Sequence, residues 1–208
     1  KNCIDGNRVY LGFSADMKLK KIFNSFSTYE KINIGGISGQ KLINNDIIYF
    51  KNIKSPSTKK IPSSFINRYD QTKIIRIIEG IHFDKIQNNL TLIDNQFQIS
   101  SNSDRMGLRL LNNKIKLNNY NEIDSTVVTK GTIQVPRDGN PIILMSDSQS
   151  TGGYPIIGNI CKIDISKITQ IKPNKRVKFK IITIDESNRI LDYELKKFKS
   201  KLDINLST

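Results

Sequence analysis

Between residues 72 and 184 the chain repeats one arrangement: a short run of β-branched and aliphatic residues, then a turn built from Gly, Asn, Asp or Pro. Thr72-Lys73-Ile74-Ile75-Arg76-Ile77-Ile78 is the clearest run, and further strands are expected over 96–100, 131–136, 141–146, 156–163 and 177–184. Val and Ile are stiff at χ1 and fit a pleated sheet better than a helix, so runs this short read as strands. Arg137-Asp138-Gly139-Asn140 and Thr151-Gly152-Gly153 supply turn chemistry between them. Many short strands with few helices must bury their faces against one another, which predicts a mainly β fold, a barrel or a sandwich.

Residues 9–13 and 46–50 also read as short strands, on either side of the turn cluster Gly35-Gly36-Ile37-Ser38-Gly39. Few helices are expected. Ile86, Leu90 and Ile93 share a helical face behind Asp84, a candidate N-cap. Residues 164–171 suit one or two helical turns, ended by Pro173. In the tail, Leu191, Leu195, Phe198 and Leu202 form an apolar stripe with Lys196, Lys197, Lys199 and Lys201 mostly off it. Ser187 is its candidate cap, and a helix packed on the barrel is expected. Residues 51–70 are polar, basic and Pro-bearing, which marks a linker and gives three parts: 1–62, a linker over 63–70, and 71–208.

The formal net charge is +14. A strongly basic chain invites a nucleic-acid reading. Here the lysines are scattered among abundant Asn and Ile, aromatics make up 8% and Trp is missing, so a base-stacking platform is poorly supplied. No nucleic-acid partner is expected. No apolar stretch approaches the roughly 20 residues a membrane helix needs, and a soluble cytoplasmic protein is expected. Cys3 and Cys161 are far apart, which supports neither a disulfide framework nor a zinc site, so no metal is expected. His82 is the single histidine, so any His-based triad or metal site must use it.

Three polar, Gly-bearing turns are left as places for chemistry. Ser103-Asp104-Arg105-Met106-Gly107 sets a guanidinium on a tight bend, and Arg binds carboxylate or phosphate bidentately. The alternative is that Asp104 pairs with Arg105 or Arg109 to brace the turn. Gly131-Thr132-Ile133-Gln134-Val135-Pro136 places Gln134 in an apolar run. Ser148-Gln149-Ser150-Thr151-Gly152-Gly153-Tyr154 combines neutral donors with two glycines that let backbone approach a ligand. A bulge loop whose glycines serve backbone geometry is the alternative there.

Taken in order, these blocks resemble the KipA family, also called allophanate hydrolase subunit 2, biotin-dependent carboxyltransferase-like protein or the C component of 5-oxoprolinase. Its pattern is Ser-Asp-Arg-Met-Gly, Ile-Gln-Val-Pro with Asp-Gly behind, then Gln-Thr-Thr-Gly-Gly-Tyr-Pro. This chain matches with residues 103–107, 133–136, Asp138-Gly139 and 149–155, Ser150 standing in a Thr position. Upstream, Gly6-Asn7-Arg8-Val9-Tyr10-Leu11 resembles Gly-x-Arg-x-Tyr-Leu, and Ser25-Phe26-Ser27-Thr28 resembles Ser-Arg-Ser-Thr. The resemblance implies tandem cyclophilin-like β-barrels, with 1–62 the remainder of a first barrel and 71–208 a second. The chain opens on Lys1, and the family's N-terminal portion with its Gln-Asp-x-Gly-Arg segment is expected to lie outside it.

By the same resemblance the function is that of the C component of an ATP-dependent 5-oxoprolinase. A KipI-like protein, the B component, would share the ATP. An A-like component would open the ring, and the substrate would be a small amide or lactam. Arg105 and Gln149 are the implied catalytic residues. Ser103, Gln134, Thr151, Gly152, Gly153 and Tyr154 are the implied substrate contacts. Two other readings stay open. One is the carboxyltransferase part of a urea carboxylase, with biotin as its cofactor, and the other a non-catalytic regulatory partner or degenerate homologue. Departures from the pattern bear on that choice: Ala15-Asp16 for a Gly-Gly, Phe26 for an arginine, Ser125-Thr126 for a Ser-Glu, and Ser148 for a basic or imidazole residue.

Overall fold

A computed structural model describes residues 5–55, 74–118 and 123–202, with residues 201 and 202 as backbone. The expected linker at 63–70 lies outside these residues. The chain divides into two compact units, one of residues 1–9 and 67–208 and the other of residues 10–66.

In the smaller unit, β1 (Asp16–Met17) pairs antiparallel with β2 (Phe50–Lys51). The strand expected over 9–13 is not formed, and that over 46–50 keeps only its last residue. Turns take over instead: Phe23, Asn24, Asn33, Asn45 and Asn52 all sit at positive φ, a conformation that interrupts extended backbone. Apolar side chains of this unit are widely exposed, among them Tyr10, Phe23 and Ile53.

The larger unit is built on β3 (Ile74–Glu79), α1 (Leu90–Asp94), β4 (Gln96–Ile99), β5 (Gly107–Leu111), β6 (Thr126–Val127), β7 (Thr132–Gln134) and β8 (Ile142–Leu144). It continues with β9 (Thr151–Gly152), β10 (Ile156–Ile160), α2 (Ile165–Gln170), β11 (Arg176–Ile181) and α3 (Ile184–Leu202). Seven strands close into a barrel in the order β10-β3-β11-β4-β5-β8-β7. All neighbours are antiparallel except β3 and β11, which run parallel. The fold is mainly β, as the alternation of short runs and turns predicts. Closure leaves no edge among the seven strands, so each finds backbone partners on both sides.

Alternation along each strand fills the barrel. Ile75 and Ile77 on β3, Phe97 and Ile99 on β4, Leu108 and Leu110 on β5, and Val177 and Phe179 on β11 are all buried in one core. Phe97 and Phe179 meet across β4 and β11 with ring centroids 5.6 Å apart and tilted by 47°, a favourable edge-to-face-like geometry. Leu108-Arg109-Leu110 shows the same period of two, and β5 is a strand the sequence reading leaves inside a turn motif.

Helix boundaries shift for identifiable reasons. Ile86 is extended and bridges Leu117, so the helix expected behind Asp84 splits into a 3-10 turn at Phe83–Lys85 and α1. Asn88 Oδ1 accepts from Leu90 N at 3.0 Å just ahead of α1, whose N-cap is Asn89, while Asp84 lies within the 3-10 turn. In α3 the cap is Thr183, whose Oγ1 accepts from Glu186 N at 3.1 Å. Ser187 is buried inside the helix and hydrogen-bonds Cys161. The stripe is only partly covered: Leu191 is half-buried while Leu195 and Phe198 are about half exposed. No helix among the described residues is long and apolar enough to cross a membrane.

One polar cluster locks the barrel seam. Asp164, fully buried, accepts from Arg76 N at 2.9 Å, from Arg76 Nε at 2.8 Å and from Arg76 Nη2 at 2.6 Å. Lys167 Nζ lies 2.7 Å from Asp164 Oδ1. Burial pushes the Asp164 carboxyl up, but the hydrogen bonds from Arg76 and Lys167 outweigh it and hold it below the usual carboxylate range. A carboxyl depressed on folding stabilises fully above about pH 4, and that contribution is lost as pH falls through its lowered value. Asp164→Asn should cost about 3–5 kcal/mol at pH 7, because two partly buried cations lose their counter-charge. It should also flatten the acid limb of the stability curve. Denaturant unfolding of both proteins at pH 7 and pH 3 checks this, and an unchanged midpoint at pH 7 would refute the lock.

Candidate functional site

The β5–β8 ladder pairs Gly107 with Leu144 and Arg109 with Ile142. Its continuation brings Met145 N to Met106 O at 2.9 Å and Asp147 N to Arg105 O at 2.9 Å. The bend at 103–107 and the start of the 146–155 loop are therefore neighbours by register. Within the bend, Asp104 Oδ1 accepts from Met106 N at 2.8 Å and Gly107 N at 3.1 Å. Asp104 thus shapes the turn through backbone, while the carboxylate facing Arg105 is Asp147. Arg105 Nε lies 2.9 Å from Asp147 Oδ2, and Nη2 donates to Oδ1 at 3.0 Å.

This bidentate pair fixes the guanidinium plane. The Arg105 side chain is 60% exposed and Asp147 21%, so the pair itself adds about 0–1 kcal/mol to stability. Its use is orientation: a planar fork held on one edge keeps the other aimed. Gln149, Ser150 and Thr151 follow Asp147 and are exposed, as is Gly153. Guanidinium, amide and hydroxyl groups on one exposed corner can bind carboxylate or phosphoryl oxygens. Asp147 is missing from the residues the sequence reading singles out. The signal for it is the strand register, which sequence spacing does not supply.

Other candidates fall elsewhere. Ser103 Oγ accepts from Arg109 N at 3.0 Å and serves the bend. Gln134 is buried on the outer face of β7, between Ile133 and Val135, which face the barrel core. The two-stranded β6–β9 sheet covers that outer face, with Val128, Leu144 and Ile156 as a second small core. Gln134 Nε2 donates to Tyr154 O at 3.2 Å. A Cβ on Gly152 would stand 2.7 Å from that same nitrogen, so an alanine here would have to push the buried Gln134 amide aside. Gln134, Gly152 and the Tyr154 carbonyl thus form a packed bracket, which places the 146–155 loop on the barrel. The Tyr154 ring remains half exposed.

His82 is also committed. Its Nδ1 accepts from Ile156 N at 3.0 Å, and its backbone N–H donates to Ile156 O at 2.9 Å. Burial, then the Lys85 charge, lowers its pKa, which favours the neutral ring that this acceptor role needs. Of the departures from the family pattern, Phe26 lies with its ring centroid 5.0 Å from Lys21 Nζ. Thr126 lies on β6 and pairs with Gly152. No cluster of three metal-ligating side chains occurs among the described residues.

A family model described as "Carboxyltransferase domain, subdomain A and B" matches residues 1–181. The chain belongs to this carboxyltransferase domain family. Among relatives of this carboxyltransferase-family chain is the C component of the 5-oxoprolinase of Haemophilus influenzae, 31% identical over 87% of this chain and 58% of that protein. Its counterpart in Escherichia coli is 30% identical over 88% of this chain and 58% of its own length. The chain therefore spans a little under three-fifths of these relatives. Among solved structures, the urea amidolyase of Kluyveromyces lactis superposes with a TM-score of 0.76 over 90% of this chain and 13% of that one, at 19% identity. That likeness is one of fold.

The Gly152 bracket is testable. Gly152→Ala should destabilise the chain by about 1–3 kcal/mol, because the new methyl must displace an amide that is buried and hydrogen-bonded to Tyr154 O. Gln134→Ala combined with it should recover part of the loss by making room. Thermal unfolding of the two single variants and the double variant measures the coupling, and purely additive effects would contradict the contact.

Proposed function

We propose that this chain is the C-like component of an ATP-dependent 5-oxoprolinase, acting in the cytoplasm with a KipI-like B component. The observation that carries this reading is the 30–31% identity to the C components of two bacterial 5-oxoprolinases across 87–88% of this chain. The chemistry of the Arg105 corner supports it. A lactam carbonyl is a poor electrophile. Moving the ATP γ-phosphoryl group to the lactam oxygen, with ADP departing, makes that oxygen part of a leaving group. Water can then add at the carbon, the ring C–N bond of that tetrahedral adduct breaks with the amine departing, and a second water hydrolyses the resulting acyl phosphate to glutamate and phosphate.

Such a reaction needs groups that hold a carboxylate and offset phosphoryl charge. Arg105, its plane fixed by Asp147, suits either task. Gln149 and Thr151 add neutral donors, and the exposed Gly153 backbone lets a ligand close. His82, the single histidine, has its Nδ1 committed to Ile156 N. A partner protein would complete the site and exclude water. A second reading, the carboxyltransferase part of a urea carboxylase with carboxybiotin as donor, is favoured by 26% identity to the urea amidolyase of Saccharomyces cerevisiae over 89% of this chain.

The test is 5-oxoproline-dependent ATP hydrolysis by this polypeptide by itself, with the B component, and with both the A and B components. Turnover is expected only in the mixtures. Arg105→Ala and Gln149→Ala should each lower it by about 10²-fold, the usual loss for a positioned charge-stabilising donor. Turnover by the isolated polypeptide would refute the need for a partner, and unchanged turnover in both variants would move the site. Activity that requires biotin and urea selects the second reading. Inactivity of every mixture would make Phe26, Thr126 and Ser148 the marks of a regulatory or degenerate chain.

A further inference from the structure

The β7–β8 hairpin points its turn away from the Arg105 corner, and beside that turn the surface opens into a cleft of about 590 Å³. This is within the range of small-molecule sites, roughly 300–1,000 Å³. From the Arg109–Ile142 pair to the Arg105–Asp147 pair the β5–β8 ladder covers about five residues, or roughly 15–20 Å of strand. The cleft and the Arg105 corner are thus at opposite ends of one ladder.

Both walls of the cleft are built. On one side, Gly139 N donates to Pro136 O at 2.9 Å and closes the turn. Gly139 has a φ of +80°, and a Cβ there would stand 3.1 Å from Ile115 O. On the other side, Ile115 N donates to Gly139 O at 2.9 Å, and Gln87 N donates to Lys116 O at 3.0 Å. Ile115 is buried and Leu117 half-buried, and both pack with the barrel core. Alternation then sets Lys114 and Lys116 outward, where both line the cleft with Arg137 from the opposite wall.

The charges there are unbalanced. Asp138 lines the same cleft, but its oxygens accept from Asn140, at 3.1 Å from N and 2.8 Å from Nδ2. Those hydrogen bonds, and then the charges of Lys114 and Arg109, hold its carboxyl below the usual range. Among the described residues, Lys114, Lys116 and Arg137 join none of the ion pairs formed. Three cations face one occupied carboxylate on a rigid frame, with the Gln87 side chain at the rim.

We propose that this cleft is a second recognition site, distinct from the Arg105 corner, for the phosphate chain of a small molecule such as a nucleotide. Two lysines one strand-repeat apart and an arginine across the gap suit adjacent phosphates, the arginine by its fork and the lysines as point charges. The inference rests on the cleft alone and holds whichever reaction the chain serves.

Titration calorimetry with ATP and with inorganic tripolyphosphate, on this polypeptide and its variants, tests it. Both ligands should bind, since both carry the phosphate chain, and tighter binding of ATP would add a role for its nucleoside. Lys114→Gln with Lys116→Gln, and Arg137→Gln separately, should each weaken binding by about tenfold or more, as for lost charge-assisted hydrogen bonds. Lys180→Gln, which removes an exposed charge on β11 outside both sites, should leave it unchanged. An unaltered melting temperature confirms that the variants are folded. Undiminished binding in both cleft variants, an equal loss in Lys180→Gln, or no binding at millimolar ligand would overturn the proposal. So would an oligonucleotide that binds through the same residues far more tightly than tripolyphosphate, which would make the cleft a nucleic-acid contact.

Discussion

Arg76 and Asp164 hold together two stretches that are distant in sequence and adjacent in the barrel. Arg76 lies on β3, between β10 and β11, and Asp164 follows β10 directly. The carboxylate grips the backbone N–H of Arg76 as well as its guanidinium. It therefore fixes the height of β3 in the ring, not merely its presence. A slip of one residue would turn Ile75 and Ile77 out of the core and bring Arg76 in. Every other register follows around the ring, including the β5–β8 pairing that sets Arg105 against Asp147.

That dependence explains why the surface loops can be polar and still well placed. The 146–155 loop is held at its start by Arg105 and Asp147, and near its end by Gln134 under Gly152. Neither anchor uses the exposed side chains of Gln149, Ser150 or Thr151. Structural and chemical duties are thus divided between different parts of one loop. The glycine that invites a ligand-contact interpretation meets a buried amide, and the residues that can meet a ligand are its neighbours.

The period-two runs made the barrel legible, since Ile75, Ile77, Val177 and Phe179 announce their faces without any knowledge of partners. Helix starts were legible only approximately. Thr183 and Ser187 are both plausible caps by composition, and only packing against Cys161 decides between them. The smaller unit was least legible: residues 9–13 form no strand, and Asn45 and Asn52, both at positive φ, flank the run at 46–50. At the candidate site, Arg105 and Gln149 could be named from residue type and the family pattern. Asp147 could not, because its meaning comes from a strand pairing, and Gln134 changes meaning once it is known which face of β7 it occupies.

Strand β3 also sets a timetable. Both of its partners, β10 and β11, come late, the first beginning at Ile156. At ordinary rates of protein synthesis, β3 waits roughly 4–15 s before its first partner has been made. Through that interval Ile75 and Ile77 have no barrel to enter, and both edges of the strand lack their backbone partners. A chain released before residue 156 would leave β3, with its four isoleucines, open to any passing β-edge.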